Sequence, residues 1–505
     1  MPPCNNCGFT SDEPTSDSVQ DLMACDPRVQ LQELDFQIAR ARALIKELRR
    51  KRIPLKRKIN RFHSPVLRLP PELYSEIFTA CLPEISWSAL GENDTVPYSN
   101  MPLLIGMVCS AWRELAWSMP QLWSRISISL DTSSPESCDL IQEWITRSGQ
   151  SPLSIHLVCT LNPDEIYLDS SILSTLDIIA SCSHHWSKIY FAFPVVCYQV
   201  IGRIRNCLPL LSFMSLRLNR LPWFTPFDGF DNTPQLSHIE IEGYEQDSLN
   251  LSLVQVTTLS LAWITTEECR EILKRCPNLS HCSFLELVPS EGSWSPTLSP
   301  QIEYLDIQVE NHHAPGALAE LLDSLIIPAA RELRIDNVGF DFPLGKFLSL
   351  LSRSGCSLQR LALVNCPCSE RGLIRCLAAI PSLVHLEFSV FGLMNSVVYA
   401  LDHSDPSNVG YPCLLPNLKT LLLGSNKVGL LGLVSMLSAR WRTDDTYAAS
   451  GDHYSAATQL RSVVVTHPDD LVPDSAVLAQ LRRLVKEGME ISLTTGSGPS
   501  SRTWL

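Results

Sequence analysis

The stretch Ile380-Pro381-Ser382-Leu383-Val384-His385-Leu386-Glu387-Phe388 decides how most of this chain is read. Pro381 cannot continue a helix: it lacks an N–H and biases the residue before it away from helical backbone. Leu383, Leu386 and Phe388 then recur at steps of three and two. That spacing puts Leu386 and Phe388 on one face of a short strand and Glu387 on the other. Leu373 to Ala379, just before it, reads as a helix. The unit is therefore helix, proline stop, short strand.

The same unit recurs on both sides. Cys276-Pro277-Asn278-Leu279 and Leu415-Pro416-Asn417-Leu418 repeat the stop. Leu236-x-x-Ile239-x-Ile241, Leu279-x-x-Cys282-x-Phe284, Leu358-x-x-Leu361-x-Leu363 and Leu418-x-x-Leu421-x-Leu423 repeat the strand entry. Shorter cores lie at Leu216-Arg-Leu218, Leu259-Ser-Leu261, Leu305-Asp-Ile307, Leu333-Arg-Ile335 and Val463-Val-Val465. From Leu216 the steps are 23, 20, 23, 23, 28, 28, 25, 35 and 42 residues. Most fall in the 20–29-residue period of leucine-rich repeats, so residues 126–493 are read as a leucine-rich-repeat-like α/β solenoid with parallel strands and helices behind them. Cys269 to Arg275 and Phe347 to Ser352 read as further helices. Ile126-Ser-Ile128, Leu153-Ser-Ile155-His-Leu157 and Lys188-Ile189-Tyr-Phe191 read as degenerate first repeats. The two long steps mark insertions at Leu401 to Cys413 and Arg442 to Thr458, and residues 494–505, rich in Gly and Ser, read as a flexible end.

One repeat cannot bury its own apolar face, so the units must stack. Arg217, Glu240, Ser260, Asp306, Arg334, Ala362, Glu387 and Leu422 then line up on the opposite face of the strands as a mixed, partly charged binding surface. The repeats also explain the composition. Proline outnumbers glycine, 35 to 22, because it punctuates the units, and several of the 18 cysteines sit in or beside them. No signal peptide or run of about 20 apolar residues is visible, which points to a reducing compartment and reduced, buried thiols.

The N-terminus differs. Residues 1–27 are polar and acidic and read as a disordered tail; Cys4-x-x-Cys7 supplies only half a zinc ligand set. In residues 28–63, apolar residues Leu31, Leu34, Ile38, Ala41, Ile45, Leu48, Leu55, Ile59 and Phe62 fall in a heptad seam, with Arg52 in a seam position. A short coiled-coil arm that self-associates, a helical hairpin arm and a single helix packed on the rest of the protein all fit this pattern. Pro54 is expected to kink or end the helix. From Arg40 to Arg61 there are eleven Lys/Arg against Glu47 alone, which fits a nuclear-import or polyanion-binding run, or a solvated helix face. Residues 1–63 carry a net charge of +4 and residues 64–505 one of -17, within a total of -13. The acidic body is a poor nucleic-acid binder, and a target guided by charge is more fitly basic.

Residues 64–125 are the most distinctive. Pro70 and Pro71 suit the first turn of a helix, and Glu72 suits its positive end. Leu73, Ile77, Phe78 and Leu82 form one apolar face, and Leu104, Val108, Trp112 and Leu115 form that of a second helix. Residues 83–101 between them are polar and read as a loop. An apolar surface left over after the two helices pack would favour a partner.

This segment resembles the F-box in the variety common in mushroom-forming fungi. The matching elements are Leu69-Pro70-Pro71-Glu72-Leu73, Ile77-Phe78, Val108-Cys109-x-x-Trp112-Arg113 and Pro120-x-Leu122-Trp123, in that order. The resemblance implies a small helical module that docks on the Skp-type adaptor of an SCF-type, cullin–RING ubiquitin ligase. It further implies that Leu69, Pro70, Pro71, Leu73, Ile77, Phe78, Val108, Cys109 and Trp112 form or support the adaptor-facing surface.

The function expected is that of a non-catalytic substrate receptor, with the module holding adaptor and cullin and the repeats holding a target protein. The alternative is a repeat scaffold that degrades nothing. No phosphate-binding loop, dinucleotide fingerprint, metalloprotease motif or nucleophile elbow stands in a usable context, so no catalytic residue, cofactor, metal, nucleic acid or membrane is expected. His184-His185 and His312-His313 are adjacent pairs, and adjacent residues do not share a face. Localisation is expected in cytoplasm, nucleus or both.

Overall fold

The computed structural model describes residues 27–63, 65–82, 100–159, 170–204, 208–218, 226–245, 249–290, 296–299, 301–309, 316–338, 341–389, 395–402, 414–424, 428–441, 458–467, 472–496 and 502–505. The acidic tail with its Cys4/Cys7 pair, almost all of the polar insertion, the His312-His313 pair and all but the end residues of both late insertions lie outside them.

The repeats build one long sheet. Its strands are β1 (Arg125–Ser129), β2 (Leu153–Val158), β3 (Trp186–Ala192), β4 (Phe213–Arg217), β5 (His238–Glu242), β6 (Thr258–Ala262) and β7 (His281–Leu285). After a two-residue β8 (Thr297–Leu298) come β9 (Tyr304–Val309), the short β10 (Leu325–Ile326), β11 (Glu332–Asn337), β12 (Arg360–Val364) and β13 (His385–Ser389). The last are β14 (Thr420–Gly424), β15 (Ser462–His467), β16 (Glu490–Thr495) and β17 (Arg502–Thr503). Fifteen of them join in sequence order, and β8 pairs only with β10. Every pairing within the long sheet is parallel except β16 with β17.

The register is the one the leucine spacing requires. Ile239, Leu259, Cys282, Leu305, Leu333, Leu361, Leu386 and Leu421 are paired across successive strands and buried. Behind them stand the return helices. Thr266–Arg275, Leu344–Ser354 and Glu370–Ala378 cover the three helices read from the sequence. Thr266–Arg275 has a complete local code: Thr265 and Glu268 form a capping box, Glu267 adds charge to the first turn, and Lys274 and Arg275 close the last. The early runs are true repeats, since β1 to β3 belong to the same sheet and alternate with helices Pro135–Ser148 and Ser170–Ser181.

Three local expectations are corrected. At Leu216-Arg217-Leu218 the strand sits earlier, at Phe213–Arg217, so Met214 and Leu216 are its inward pair. Ser215 therefore pairs with Glu240 in the central outward row, and Arg217 lies one row over, opposite Glu242. Of the two outcomes expected at Pro54, a kink or an end, the second is ruled out: helix Pro27–His63 runs through it. The residues of that turn are exposed, so water can take the carbonyl that the missing N–H leaves open. The C-terminal residues are not loose either. β17 turns back on β16, Trp504 donates its indole N–H to the Thr495 hydroxyl at 2.9 Å, and Trp504 and Leu505 pack on the core.

Most of the buried apolar residues form one continuous cluster from Tyr74 to Leu493, with Val158, Tyr190 and Ala192 apart on the other side of the sheet, so the module at 64–125 shares its core with the array. Cys182, Cys197, Cys269, Cys276, Cys282, Cys366 and Cys376 are buried in the fold and free. Burial pushes the thiols of Cys197, Cys276 and Cys376 up to about 12, which keeps them protonated and unreactive.

Candidate protein-interaction sites

The module opens with a 3-10 turn, Val66–Arg68, and Leu69. Pro70 is the N-cap of helix Pro71–Ala80, with Pro71 at its first position and Glu72 in its first turn. The Tyr74 hydroxyl donates to the Val66 carbonyl and ties the turn to the helix. The second apolar helix read from the sequence is in fact two, Met101–Val108 and Ser110–Trp117. Between them Cys109 is extended (φ -158°, ψ 169°), and its sulfur accepts the backbone N–H of Trp112 at 3.4 Å. Arg113 braces the corner by donating to the Gly106 carbonyl at 2.8 Å.

That corner changes which residues face outward. Trp112 meets Phe78 edge-on, ring centroids 5.0 Å apart, and Tyr74 at 6.1 Å. Phe78 is only 1% exposed, while Leu69 and Trp112 are half-buried against the core. These three, with Cys109 as a cap, support the module from within. Leu73 and Ile77, one turn apart on their helix, are 43% and 44% exposed, and Val108 is 61% exposed. Pro70 and Pro71 are exposed as well. The sequence reading put Leu73, Ile77 and Phe78 on one face, and Val108 in line with Trp112. The break at Cys109 turns Val108 away from Trp112, and of the first face, which also held Leu82, the Phe78 ring is fully buried and Leu82 packs partly on the core.

Two outward residues were missed as candidates. Met107 is 73% exposed, and Leu104, one turn back, is 52% exposed. A signal was present: Met101-Pro-Leu-Leu-Ile-Gly-Met-Val108 is apolar all round, and a helix like that cannot bury every side in a module this small. Leu73, Ile77, Leu104, Met107 and Val108 are thus apolar side chains held outward by an aromatic core.

The second surface is the open face of the sheet, and its character changes along its length. At its first strands this side is covered, with His156 stacked on Tyr190 at 4.2 Å and both buried, and the exposed part begins where Phe213 packs on His238. The middle is charged. Arg217 pairs with Glu242 at 2.6 Å, and Arg334 stands 3.8 to 3.9 Å from the carboxylates of Asp306, Asp336 and Glu387. Burial raises the pKa of Asp306, and Arg334 only partly opposes this. Towards the end the central row becomes apolar, with Leu422 beside Val464. Graded chemistry of this kind suits an extended protein surface better than a small molecule.

No family model matches the chain, and no curated protein does. Among solved structures it is similar to a TLR13–ssRNA13 complex, at 13% identity and a TM-score of 0.31. That match covers 63% of this chain and 50% of the other, so this chain spans about half the length of the structure it matches. At that score the likeness carries no argument, and the repeat fold rests on the strand order and register above. No described helix is long and apolar enough to cross a membrane. No group of three or more His, Cys, Asp or Glu suited to a metal occurs among the described residues. His184 and His185 lie together, but His185 bonds Gln150 at 3.0 Å.

Proposed function

We propose that this chain is the substrate-recognition subunit of an SCF-type ubiquitin ligase and does no bond chemistry itself. The observation that carries the reading is the outward set Leu73, Ile77 and Val108. These residues lie on helices whose order and motif resemble an F-box, and a rigid Phe78–Trp112 core keeps them exposed. Such a set fits the docking of a Skp-type adaptor, because exposed apolar side chains on a fixed scaffold can be buried there with little loss of their own freedom. Leu104 and Met107 enlarge the same class of surface. The repeat array, held to the module by a shared core, offers its open face to a target protein. The complex then works by proximity: a bound target meets a ubiquitin-charged enzyme at high effective concentration.

The test is copurification of full-length chain with adaptor and cullin, compared with Leu73→Asp/Ile77→Asp. Both side chains are already partly in water, so the variant should keep its fold and thermal midpoint while losing both partners. Absence of adaptor from the unmutated chain would sink the reading. Adaptor without cullin, and no target stabilised when the proteasome is blocked, would leave a non-degradative scaffold.

A further inference from the structure

Helix Pro27–His63 carries its apolar seam in the open. Leu31, Leu34, Ile38, Ile45 and Leu48 are 46 to 60% exposed, and Ala41 between them is exposed too. Their steps of three and four keep them on one stripe for three heptads. We propose that this stripe pairs with the same stripe of a second copy, antiparallel, over residues 31–48. The pairing is independent of the adaptor reading.

Three observations choose the occupant and its direction. The first is size: Ile38 and Ile45 stand at one seam position and Leu34 and Leu48 at the other, and the small Ala41 interrupts the row of large side chains. In a parallel pair Ala41 meets the partner's Ala41 and leaves a void; in an antiparallel pair it meets the partner's Ile38 and the layer fills. The second is charge along the helix. Residues 49–61 hold eight Lys/Arg and no acid, with Arg52 in the seam itself. A parallel pair sets these two runs side by side, whereas an antiparallel pair sends them to opposite ends. The third is charge across the seam. Asp35 and Arg42 flank it and are exposed. In antiparallel register each Asp35 faces the partner's Arg42, twice by symmetry; in parallel register Asp35 faces only the partner's Gln30.

The geometry leaves room. At about 1.5 Å per residue, the 15 residues from Leu48 to His63 form a stem of roughly 22 Å on each side of a 26 Å overlap. The two bodies then stand roughly 70 Å apart at opposite ends.

Sedimentation of the full-length chain from low micromolar to about 100 μM tests this. A reversible monomer–dimer equilibrium is expected. Ile38→Asp/Ile45→Asp should be monomeric throughout with the thermal midpoint of the body unchanged. Asp35→Arg should weaken the dimer about tenfold, from two attractive pairs made repulsive, and Asp35→Arg with Arg42→Asp should restore it. A monomer at every concentration, a dimer that survives the Ile38/Ile45 change, or a dimer indifferent to Asp35→Arg would overturn the proposal.

Discussion

Gly106 marks the closest approach within the helical module. A Cβ there would lie 2.6 Å from Trp117 Cζ3, and Trp117 has little freedom to yield, because Arg113 and Arg147 lie over its ring. Gly106→Ala should therefore lower stability by about 1–3 kcal/mol, read as a drop in the thermal or urea midpoint. Gly345 is the control: it lies in helix Leu344–Ser354, and a Cβ there meets nothing within 4 Å. Gly345→Ala should be neutral or stabilise by up to about 1 kcal/mol, since alanine is the better helix former. Neither outcome is legible in the sequence, where both are single glycines in apolar helices. Arg440 shows the same limit. A basic residue in a helix's last turn is commonly solvated, but Arg440, in the last turn of helix Leu430–Trp441, is fully buried and donates to the carbonyls of Leu401, Leu414 and Leu415. Only the fold of the loops around it makes those acceptors converge.

At the scale of elements, strands and return helices were the most legible part. An apolar period of two after a proline stop admits few alternatives, and the paired leucines from Ile239 to Leu421 follow it. What lay between elements was less legible. The residue just after a strand takes left-handed backbone at Gly243, Trp263, Glu286, Asn365 and Gly496, although only two of these are glycines. Their N–H groups include those of Trp263 and Asn365, which reach the last carbonyl of the next strand, Leu285 and Ser389. The ladder holds the conformation where propensity does not. The C-terminal strand is a similar case: Gly496 and Ser at the end of the chain argue for fraying, but Trp504 anchors the return. Removing residues 502–505 should uncover the β16 edge and the buried side chain of Thr495. The expected result is a midpoint lower by about 1–2 kcal/mol equivalent and faster aggregation on heating, measured by calorimetry and light scattering.

At the scale of the molecule, module and array are one folding unit. Leu122 and Trp123 are buried, Trp123 meets Trp144 of the first repeat at 4.8 Å, and its indole N–H donates to the Ala116 carbonyl at 2.8 Å. The module closes the first repeat as β17 closes the last, which a stack of repeats requires because its end units have an uncovered face. A chain starting at residue 64 should melt with the full-length midpoint, since the seam of helix Pro27–His63 buries nothing in the body. A chain starting at residue 126 should unfold at lower temperature and aggregate, because it loses Leu122 and Trp123 from the shared core. Equal midpoints for the two truncations would show the module to be a separate bead.

The sequence by itself determined the repeat, its period, the face each strand residue takes and the heptad phase of the arm. All are periodicities, and a periodicity is set by local backbone geometry. It also marked the apolar helical residues of the 64–125 segment, among them Leu69, Phe78 and Trp112. Tertiary structure alone decided which of them look outward: Phe78 and Trp112 go in, Leu73, Ile77 and Val108 stay out, and Leu104 and Met107 join them. The physical reason is the extended backbone at Cys109. It splits one apolar helix into two, so Val108 and Trp112 no longer share a face, and no apolar pattern encodes the angle of such a corner.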